Sequence, residues 1–187
     1  MAVQINMLDM WKSEYATNLS DLDRLIYQSH LIGMEQSLVL WGGGNTSVKT
    51  IENDFFGTPH NMLRIKGSGS DLKSVTTKDF PGVILNRVVP LLNRESMPDD
   101  EMVDFLNHCL VEPNTPRPSV ETLLHAFLPF KSVVHTHADA ILSLTNTNKY
   151  ASIIPKALGG SIIIVPYMLP GFELSKKVSK ALDAKKN

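Results

Sequence analysis

The chain has 187 residues, of which 43% are hydrophobic and 20% are charged, and its formal net charge is -1. This length is enough to bury a full core in one domain, and the composition excludes intrinsic disorder. Because the charged residues form neither a basic stripe nor an acidic tail, nothing favours a nucleic-acid partner or an anionic membrane surface.

The N-terminal half predicts one helix and two strands, with a glycine-rich turn after each strand. Ser20 is a typical N-cap, the apolar residues that follow recur at helical spacing, and Gly33 is placed to end the helix. Two apolar runs predict short strands, residues 37–41 and 62–65. The turns that follow them are residues 42–45 and 66–71.

The middle of the chain predicts two helices separated by a proline-rich link. Residues 98–110 carry apolar side chains at helical spacing, and the prolines of residues 112–118 must end this helix. Ser119 is predicted to cap a second helix that continues to about residue 128. Glu121 would then lie in its first turn, where the positive end of the helix dipole favours a carboxylate.

The C-terminal part predicts two more strands and a final helix. His135 and His137 lie on the first of these strands, residues 161–167 repeat the strand pattern, and residues 172–185 predict the helix. Alternating helices and short strands are typical of a layered α/β domain. Several connections are too short for helical crossovers, so a mixed sheet is expected.

The most informative chemical pattern is the pair His135 and His137. Residues i and i+2 of an extended strand point to the same side, so both imidazoles can reach one cation. Two histidines that merely share a strand face give the same spacing. The dinuclear hydrolase pattern His-x-His-x-Asp-His is not matched, because position 140 is alanine. A divalent metal beside a movable carboxylate such as Glu121 is the minimum set for taking a proton beside a carbonyl.

Other candidate residues have structural alternatives. A glutamate in the first turn of a helix, such as Glu121, usually only stabilises the helix. The two glycine-rich turns can present N–H groups to an anion, but neither has the P-loop or the dinucleotide-binding spacing, so nucleotide binding is disfavoured. His125 is expected in the core beside apolar neighbours, and Trp41 is expected there too because it ends an apolar strand.

The cysteine content and the N-terminus bear on the compartment. Cys109 is the only cysteine, which excludes an internal disulfide and a cysteine-based zinc site and is typical of a reducing environment. Residues 1–6 lack a basic patch followed by a long apolar stretch, and the longest apolar run, residues 162–165, is far shorter than a membrane span. We therefore expect a cytoplasmic protein.

Six runs, taken in order, resemble the class II aldolase and adducin family: WGGGNTSVKT, KGSGSDL, LLNRESM, RPSVETLLHAFLP, HTHADAI and VPYMLPGFELSK. The agreement is closest to the N-terminal aldolase domain of bifunctional rhamnulose-1-phosphate aldolase/short-chain dehydrogenase proteins and covers nearly the whole chain. The resemblance implies a three-layer α/β domain with a central mixed, mainly antiparallel sheet flanked by helices.

The resemblance also implies an activity and a set of site residues. The activity is zinc-dependent retro-aldol cleavage of a ketose 1-phosphate, giving dihydroxyacetone phosphate and an aldehyde, which is L-lactaldehyde for rhamnulose 1-phosphate. His135 and His137 match two of three zinc ligands, and Glu121 matches the catalytic acid/base that protonates the enediolate carbon. The residues that match the substrate phosphate site are Gly44, Asn45, Ser68, Gly69 and Ser119.

The chain departs from the family pattern in two places. Val120 replaces a serine, which removes one phosphate contact. The third zinc-binding histidine, which the family carries on a strand after the helix at residues 172–185, has no counterpart before the chain ends at Asn187. We therefore expect residues 1–187 to be a single class II aldolase-like domain that lacks its C-terminal strand and helices, with an unpaired sheet edge and weakened metal binding.

Two alternatives to the aldolase reading remain open. One is a non-enzymatic, adducin-like assembly module or an inactive remnant, which the missing ligand favours and the retained histidine pair opposes. The other is a sugar-phosphate epimerase, which shares the fold and the metal. The expected partners are a sugar-phosphate substrate and further copies of the chain, with a tetramer implied by the resemblance.

Overall fold

The computed structural model describes residues 9–112 and 114–186. In these residues the helices and strands follow one another as α1 Ser13–Thr17, α2 Asp21–Met34, β1 Asn45–Asn53, β2 Pro59–Ile65, β3 Gly82–Ile84, α3 Leu85–Val88, α4 Asp99–His108, α5 Thr122–Phe127, β4 Ser132–His135, α6 Asp139–Thr145, α7 Tyr150–Leu158 and α8 Phe172–Lys186. Two short 3-10 helices lie at Thr77–Asp79 and Val89–Asn93.

The sheet has the strand order β3-β2-β1-β4, and every neighbouring pair of these strands is antiparallel. The long β1–β2 hairpin sets the register with Ser47 opposite Ile65, and on the other side of β1 Asn45 lies opposite His135. This register brings the start of β1 beside the end of β4. The expected α/β domain with a central, mainly antiparallel sheet is confirmed.

Helices cover both faces of the sheet because apolar residues alternate along its strands. On one face, Leu63 and Ile65 of β2 join a core formed with α4, α5 and α8. On the other face, Val48 of β1 packs against Leu25 of α2. The result is a three-layer arrangement. None of the described helices has the length and apolar character needed to cross a membrane.

The boundaries of α2 show which helix signals in the sequence hold. Ser20 caps the helix as predicted, because its hydroxyl accepts a hydrogen bond from the N–H of Asp23 at 3.1 Å. The helix continues through Gly33 to Met34, however, so Gly33 does not end it. A Cβ at Gly33 would lie only 2.2 Å from the backbone nitrogen of Lys73. Gly33 is therefore required for close packing of α2 on the backbone of Leu72 and Lys73, which directly follow the second glycine-rich turn.

Two predicted strands are absent from the described sheet. Residues 37–41 form a turn, so the first glycine-rich turn precedes β1 rather than following a strand. Residues 161–167 are irregular, although they are rich in β-branched residues. Strand propensity gives a strand only where a neighbour supplies the ladder of hydrogen bonds. Instead, the carbonyls of Gly160 and Ile162 accept hydrogen bonds from the ammonium of Lys185 in α8.

Candidate active site

The candidate site lies where β1 begins and β4 ends. Asn45, the first residue of β1, is paired with His135, the last residue of β4. One carboxylate oxygen of Glu121 joins them: His135 Nδ1 lies 3.0 Å from Glu121 Oε2, and the side-chain amide of Asn45 donates to the same oxygen. Three residues that are far apart in sequence therefore share one hydrogen-bonded group.

Glu121 occupies the N-cap position of α5, not the first turn that the sequence predicts. Ser119 lies two residues earlier and is not the cap. Its hydroxyl accepts hydrogen bonds from the N–H of Glu121 at 3.2 Å and from the amide of Asn45 at 3.1 Å. The N–H of Glu121 precedes the first helical hydrogen bonds and has no acceptor within α5, and the hydroxyl of Ser119 supplies one. The side chain of Glu121 is thereby directed toward β1 and β4.

The surroundings of Glu121 keep it ionised. Its side chain is only 16% exposed, and this burial by itself would raise the pKa of the carboxyl group. The hydrogen bonds from His135 and Asn45, together with the positive charge that His135 carries whenever its ring is protonated, outweigh burial and hold the pKa of Glu121 below its ordinary value. The carboxyl group is therefore ionised near neutral pH, which is the form that can accept a proton.

The two predicted metal ligands lie side by side. The ring centroids of His135 and His137 are 4.8 Å apart, and their planes are inclined at 60°. β4 ends at His135, so His137 lies just past the strand rather than on it, where its N–H donates to the carbonyl of Leu38 at 2.9 Å. Because a carboxylate can only accept, His135 donates through Nδ1 to Glu121, and its Nε2 keeps a lone pair.

The residues present fit a divalent metal only in part. An imidazole whose Nδ1–H is bound to a carboxylate is the usual form of a metal-ligating histidine, and a second ring lies beside it. Across residues 9–112 and 114–186, however, no group of three His, Cys, Asp or Glu side chains is arranged to hold a metal ion. Catalytic zinc usually has three protein ligands. The histidine pair could provide at most two of them.

The first glycine-rich turn packs directly against the histidines. A Cβ at Gly43 would lie 3.3 Å from His137 Nδ1. Gly44 has a φ of +71°, and a Cβ there would lie 2.8 Å from the carbonyl oxygen of His135. Only glycine can bring the backbone this close to the end of β4.

The second glycine-rich turn abuts the first. A Cβ at Gly42 would lie 3.6 Å from the carbonyl oxygen of Gly69. Gly69 has a φ of +83° and faces open space. The N–H of Ser68 donates to the carbonyl of Arg117 at 2.9 Å, so this N–H already has a partner, while the residue itself is exposed. For an incoming anion, Ser68 therefore offers its hydroxyl group rather than its amide.

Asn45 has an unusual set of contacts for a phosphate-binding residue. Its side-chain nitrogen already donates to Ser119 and Glu121, and its oxygen Oδ1 is buried without a hydrogen-bond partner. Turning the amide over would place Oδ1 against the carboxylate, which is repulsive. An unpaired acceptor does not attract a phosphate dianion. In this arrangement the side chain of Asn45 orients Glu121.

The structure corrects the prediction for Trp41 and reveals a role for Lys66 that the sequence analysis missed. Trp41 was expected in the core, but it is 83% exposed and has a φ of +48°, because residues 37–41 form a turn and not a strand. Lys66 was not singled out, yet it is only 2% exposed, and its ammonium donates to Gly42 and Ser70 in the two turns. The sequence signal for Lys66 is a lysine that ends an apolar strand just before a glycine-rich turn.

His125 is a core residue, as predicted. It is 0% exposed, and its Nδ1 lies 2.7 Å from the hydroxyl of Ser47 on β1. Burial lowers the pKa of His125 to about 4, so the ring is neutral at physiological pH. Although it lies one helical turn after Glu121, it is not one of the side chains that surround the carboxylate oxygen.

Comparison with known proteins gives a family match and a curated relative. The sequence profile of the Class II Aldolase and Adducin N-terminal domain matches residues 23–187. A Bacillus subtilis (strain 168) protein named uncharacterized oxidoreductase YuxG is 46% identical over 174 residues, which make up 92% of this chain and 25% of the relative. The chain thus spans about a quarter of the length of that curated relative.

Two solved structures resemble the fold. The N-terminal class II aldolase domain of a conserved protein from Thermoplasma acidophilum aligns with a TM-score of 0.82 at 44% identity, covering 96% of this chain and 80% of that one. A sugar-phosphate aldolase from Thermotoga maritima aligns with a TM-score of 0.56 at 17% identity, covering 88% of this chain and 80% of that one. At this lower identity the second likeness shows a shared fold alone.

Proposed function

The chain belongs to the class II aldolase and adducin family, and from this premise we propose that it carries the site of a metal-dependent aldolase acting on a sugar phosphate. The observation that carries the proposal is the shared oxygen of Glu121, which receives hydrogen bonds from His135 and Asn45. A second imidazole, that of His137, lies beside the first. The proposed site therefore places an ionised acid/base in hydrogen-bond contact with one of two neighbouring side chains that can bind a metal.

His135 and His137 are the residues that would hold the metal. When bound, a divalent metal such as zinc supplies Lewis-acid polarisation of the substrate's carbonyl and hydroxyl oxygens. The hydrogen bond between His135 Nδ1 and Glu121 fixes the ring so that Nε2 carries the lone pair. A third ligand must come from outside the described residues, from solvent, from the substrate or from another polypeptide segment.

Glu121 is the proposed acid/base of the retro-aldol step. The hydroxyl group beyond the breaking bond passes its proton to the carboxylate of Glu121, and the electron pair of the carbon–carbon bond passes to the carbon beside the carbonyl. That carbon then takes a proton from Glu121. A group that delivers a proton after first accepting one must rest unprotonated, and the lowered pKa of Glu121 meets this requirement. Asn45 and Ser119 keep the carboxylate in place during this exchange.

The proposed substrate is a ketose 1-phosphate, with rhamnulose 1-phosphate favoured by the resemblance of the sequence motifs. Its phosphate would be bound between the two glycine-rich turns, by Gly44 on one side and by Ser68 and Gly69 on the other. Ser119 completes this set. Asn45, which the resemblance also assigns to the phosphate site, orients Glu121 in this arrangement. Support comes from the contact between the turns and from the open space around Gly69, which leaves room for an anion.

Purified protein tests the proposal through bound zinc and through release of dihydroxyacetone phosphate from rhamnulose 1-phosphate. Glu121→Gln should keep its metal and lose turnover by about 100-fold or more, the usual contribution of a general acid/base. His137→Ala should lose both metal and turnover. His108→Ala is the matched control, because His108 is 75% exposed and its ring nitrogen contacts only its own helix. Wild-type turnover in Glu121→Gln would remove the site assignment.

A second candidate function is a non-enzymatic assembly module that keeps the family fold. It is favoured by one observation, namely that the described residues do not complete a set of three metal ligands. Zinc content and release of dihydroxyacetone phosphate separate the two candidates. A metal-free protein that forms stable oligomers and releases no dihydroxyacetone phosphate would favour the module, whereas stoichiometric zinc with turnover would exclude it. Self-association is expected in both cases, by analogy with the family.

A further inference from the structure

Lys66 is a buried lysine whose contacts connect the two glycine-rich turns. It lies directly after β2 and is only 2% exposed. Its Nζ donates to the carbonyl oxygen of Gly42 in the first turn at 3.1 Å and to that of Ser70 in the second turn at 2.6 Å. Within the described parts of the chain, its ammonium forms no ion pair with a carboxylate.

Burying the ammonium of Lys66 costs free energy, so a compensating role is expected. A buried charge loses its hydration, and lysine is almost never fully buried unless it is paired. Burial accordingly lowers the pKa of Lys66, although the charges of Asp71, Glu121 and Asp79 act in the opposite direction. An apolar side chain of the same length would avoid the cost of desolvation. The two carbonyl groups would then have no donor, and nothing would hold the turns together at this point.

The two turns are anchored to different neighbours: the N–H groups of Gly67 and Ser68 donate to Asp79 and Arg117, whereas the first turn packs against the end of β4. A Cβ at Gly42 would meet Gly69 at an ordinary contact distance of 3.6 Å, so the turns touch through backbone atoms and without interlocking side chains. Gly69 itself has no heavy atom within 4 Å of an added Cβ. Glycine-rich backbone has many accessible conformations. The ammonium of Lys66 is thus the polar cross-link that fixes one turn relative to the other.

We propose that Lys66 is a positioning residue, which sets the spacing between the two glycine-rich turns so that their donor groups converge on the phosphate of the substrate. Lys66 acts through the turns and does not itself contact the phosphate. The inference rests on the proposed function, because it assumes that a phosphate monoester is bound between these turns.

The test compares binding of inorganic phosphate and of dihydroxyacetone phosphate, measured by calorimetry, in the full chain and in Lys66→Met. The variant keeps the length of the side chain and removes its donors. We expect the dissociation constant for both ligands to rise about tenfold. This is the effect of losing one charge-assisted hydrogen bond between a displaced turn and the phosphate. For substrate turnover, KM should rise by a similar factor while kcat changes less.

Lys49→Met is the matched control. Lys49 of β1 also donates to two backbone carbonyls, those of Ala126 and Leu128, and burial also lowers its pKa, but these acceptors lie at the end of α5 and not in either turn. Its loss should reduce stability and leave phosphate affinity unchanged. Equal phosphate affinities in Lys66→Met and the wild type, or equal losses in both lysine variants, would overturn the positioning role. Lys66→Arg, which keeps the charge and the donors, should recover most of the affinity.

A structure of the wild type with phosphate provides a measurement that does not depend on the folding of a variant. Nζ of Lys66 should stay on the carbonyls of Gly42 and Ser70 while the turns contact the anion. An ammonium that has moved onto the phosphate would overturn the proposal. If the wild type binds no phosphate, the proposed function fails together with this inference. If the wild type binds and cleaves its substrate but Lys66→Met binds phosphate equally well, only the inference fails.

Discussion

Gly44 is the residue at which backbone conformation and close packing coincide. Its φ is +71°, and an added Cβ would lie 2.7 Å from Val39 Cγ1 and 2.8 Å from the carbonyl oxygen of His135. Alanine at this position has to adopt the left-handed conformation, at a cost of about 1 kcal/mol, and must also displace the end of β4. We expect Gly44→Ala to lower the free energy of unfolding by about 2 to 4 kcal/mol, measured by denaturant titration.

Gly57 provides the control for this prediction. It lies in the β1–β2 hairpin with a φ of +81°, and an added Cβ there would have no heavy atom within 4 Å. Gly57→Ala therefore carries the conformational cost alone, about 1 kcal/mol. The difference between the two variants measures the close approach of Gly44 to β4. If the two alanine variants lost the same stability, the packing role of Gly44 would be refuted.

The sequence predicted the chemical residues of the site better than their surroundings. His135, His137 and Glu121 stand out because few side chains can bind metals or transfer protons, and the structure brings all three together. The prediction for Trp41 was wrong and the role of Lys66 was missed, because both depend on burial and on backbone conformation. Hydropathy assigns a tryptophan to the core and a lysine to the surface, and tertiary contacts reverse both assignments here.

At the scale of elements, Arg64 joins three segments. From β2 it contacts Glu52 of β1 and Glu112 at the start of the proline-rich link, with a distance of 2.7 Å to Glu112 Oε1. The side chain of Arg64 is only 13% exposed, so these contacts are partly protected from water. The link continues to Ser119 and Glu121, and its fixed start helps to position the candidate site.

We expect Arg64→Met to lower the free energy of unfolding by about 2 kcal/mol, because charge-assisted hydrogen bonds in a partly buried site are lost. Arg94→Met is the control: Arg94 pairs with Glu101 in an exposed surface contact, so its loss should cost less than about 0.5 kcal/mol. Hydrogen bonds from Arg64 lower the pKa of Glu52. The difference in free energy of unfolding between the wild type and Arg64→Met should therefore become smaller as the pH falls below 4.5 and Glu52 becomes protonated. A difference that stays constant down to pH 3 would contradict this account.

All four predicted helices form, whereas two of the four predicted strands do not, and this difference has a physical reason. The short helices α1, α3, α6 and α7 were not predicted. The signals of α2, α4 and α8 are local, because helical hydrogen bonds and caps lie within the same segment. A strand needs a partner from elsewhere in the chain. Residues 161–167 have the strand composition without a paired neighbour in the described sheet, and residues 37–41 are held as a turn. Sequence composition cannot report that difference.

The molecule as a whole has three layers, and His125 lies at the joint between the sheet and the layer formed by α5 and α8. Its ring is bound to Ser47 of β1 and buried completely, which lowers its pKa from 6.5 to about 4. Between these two values the unfolded chain binds a proton that the folded chain does not. The contribution of the neutral His125 ring to the free energy of unfolding is therefore fully present above pH 6.5 and decreases as the pH falls toward 4.

This linkage predicts how the stability of the whole protein depends on pH. At about 1.36 kcal/mol per pH unit, the wild type should lose about 3 kcal/mol between pH 6.5 and pH 4 through His125 alone. His125→Gln should be less stable at pH 7 because packing is imperfect, but its free energy of unfolding should fall far less over the same range. His108→Gln, which alters an exposed histidine, should follow the wild-type curve. Parallel curves for wild type and His125→Gln would show that a neutral buried imidazole does not control the acid stability of this fold.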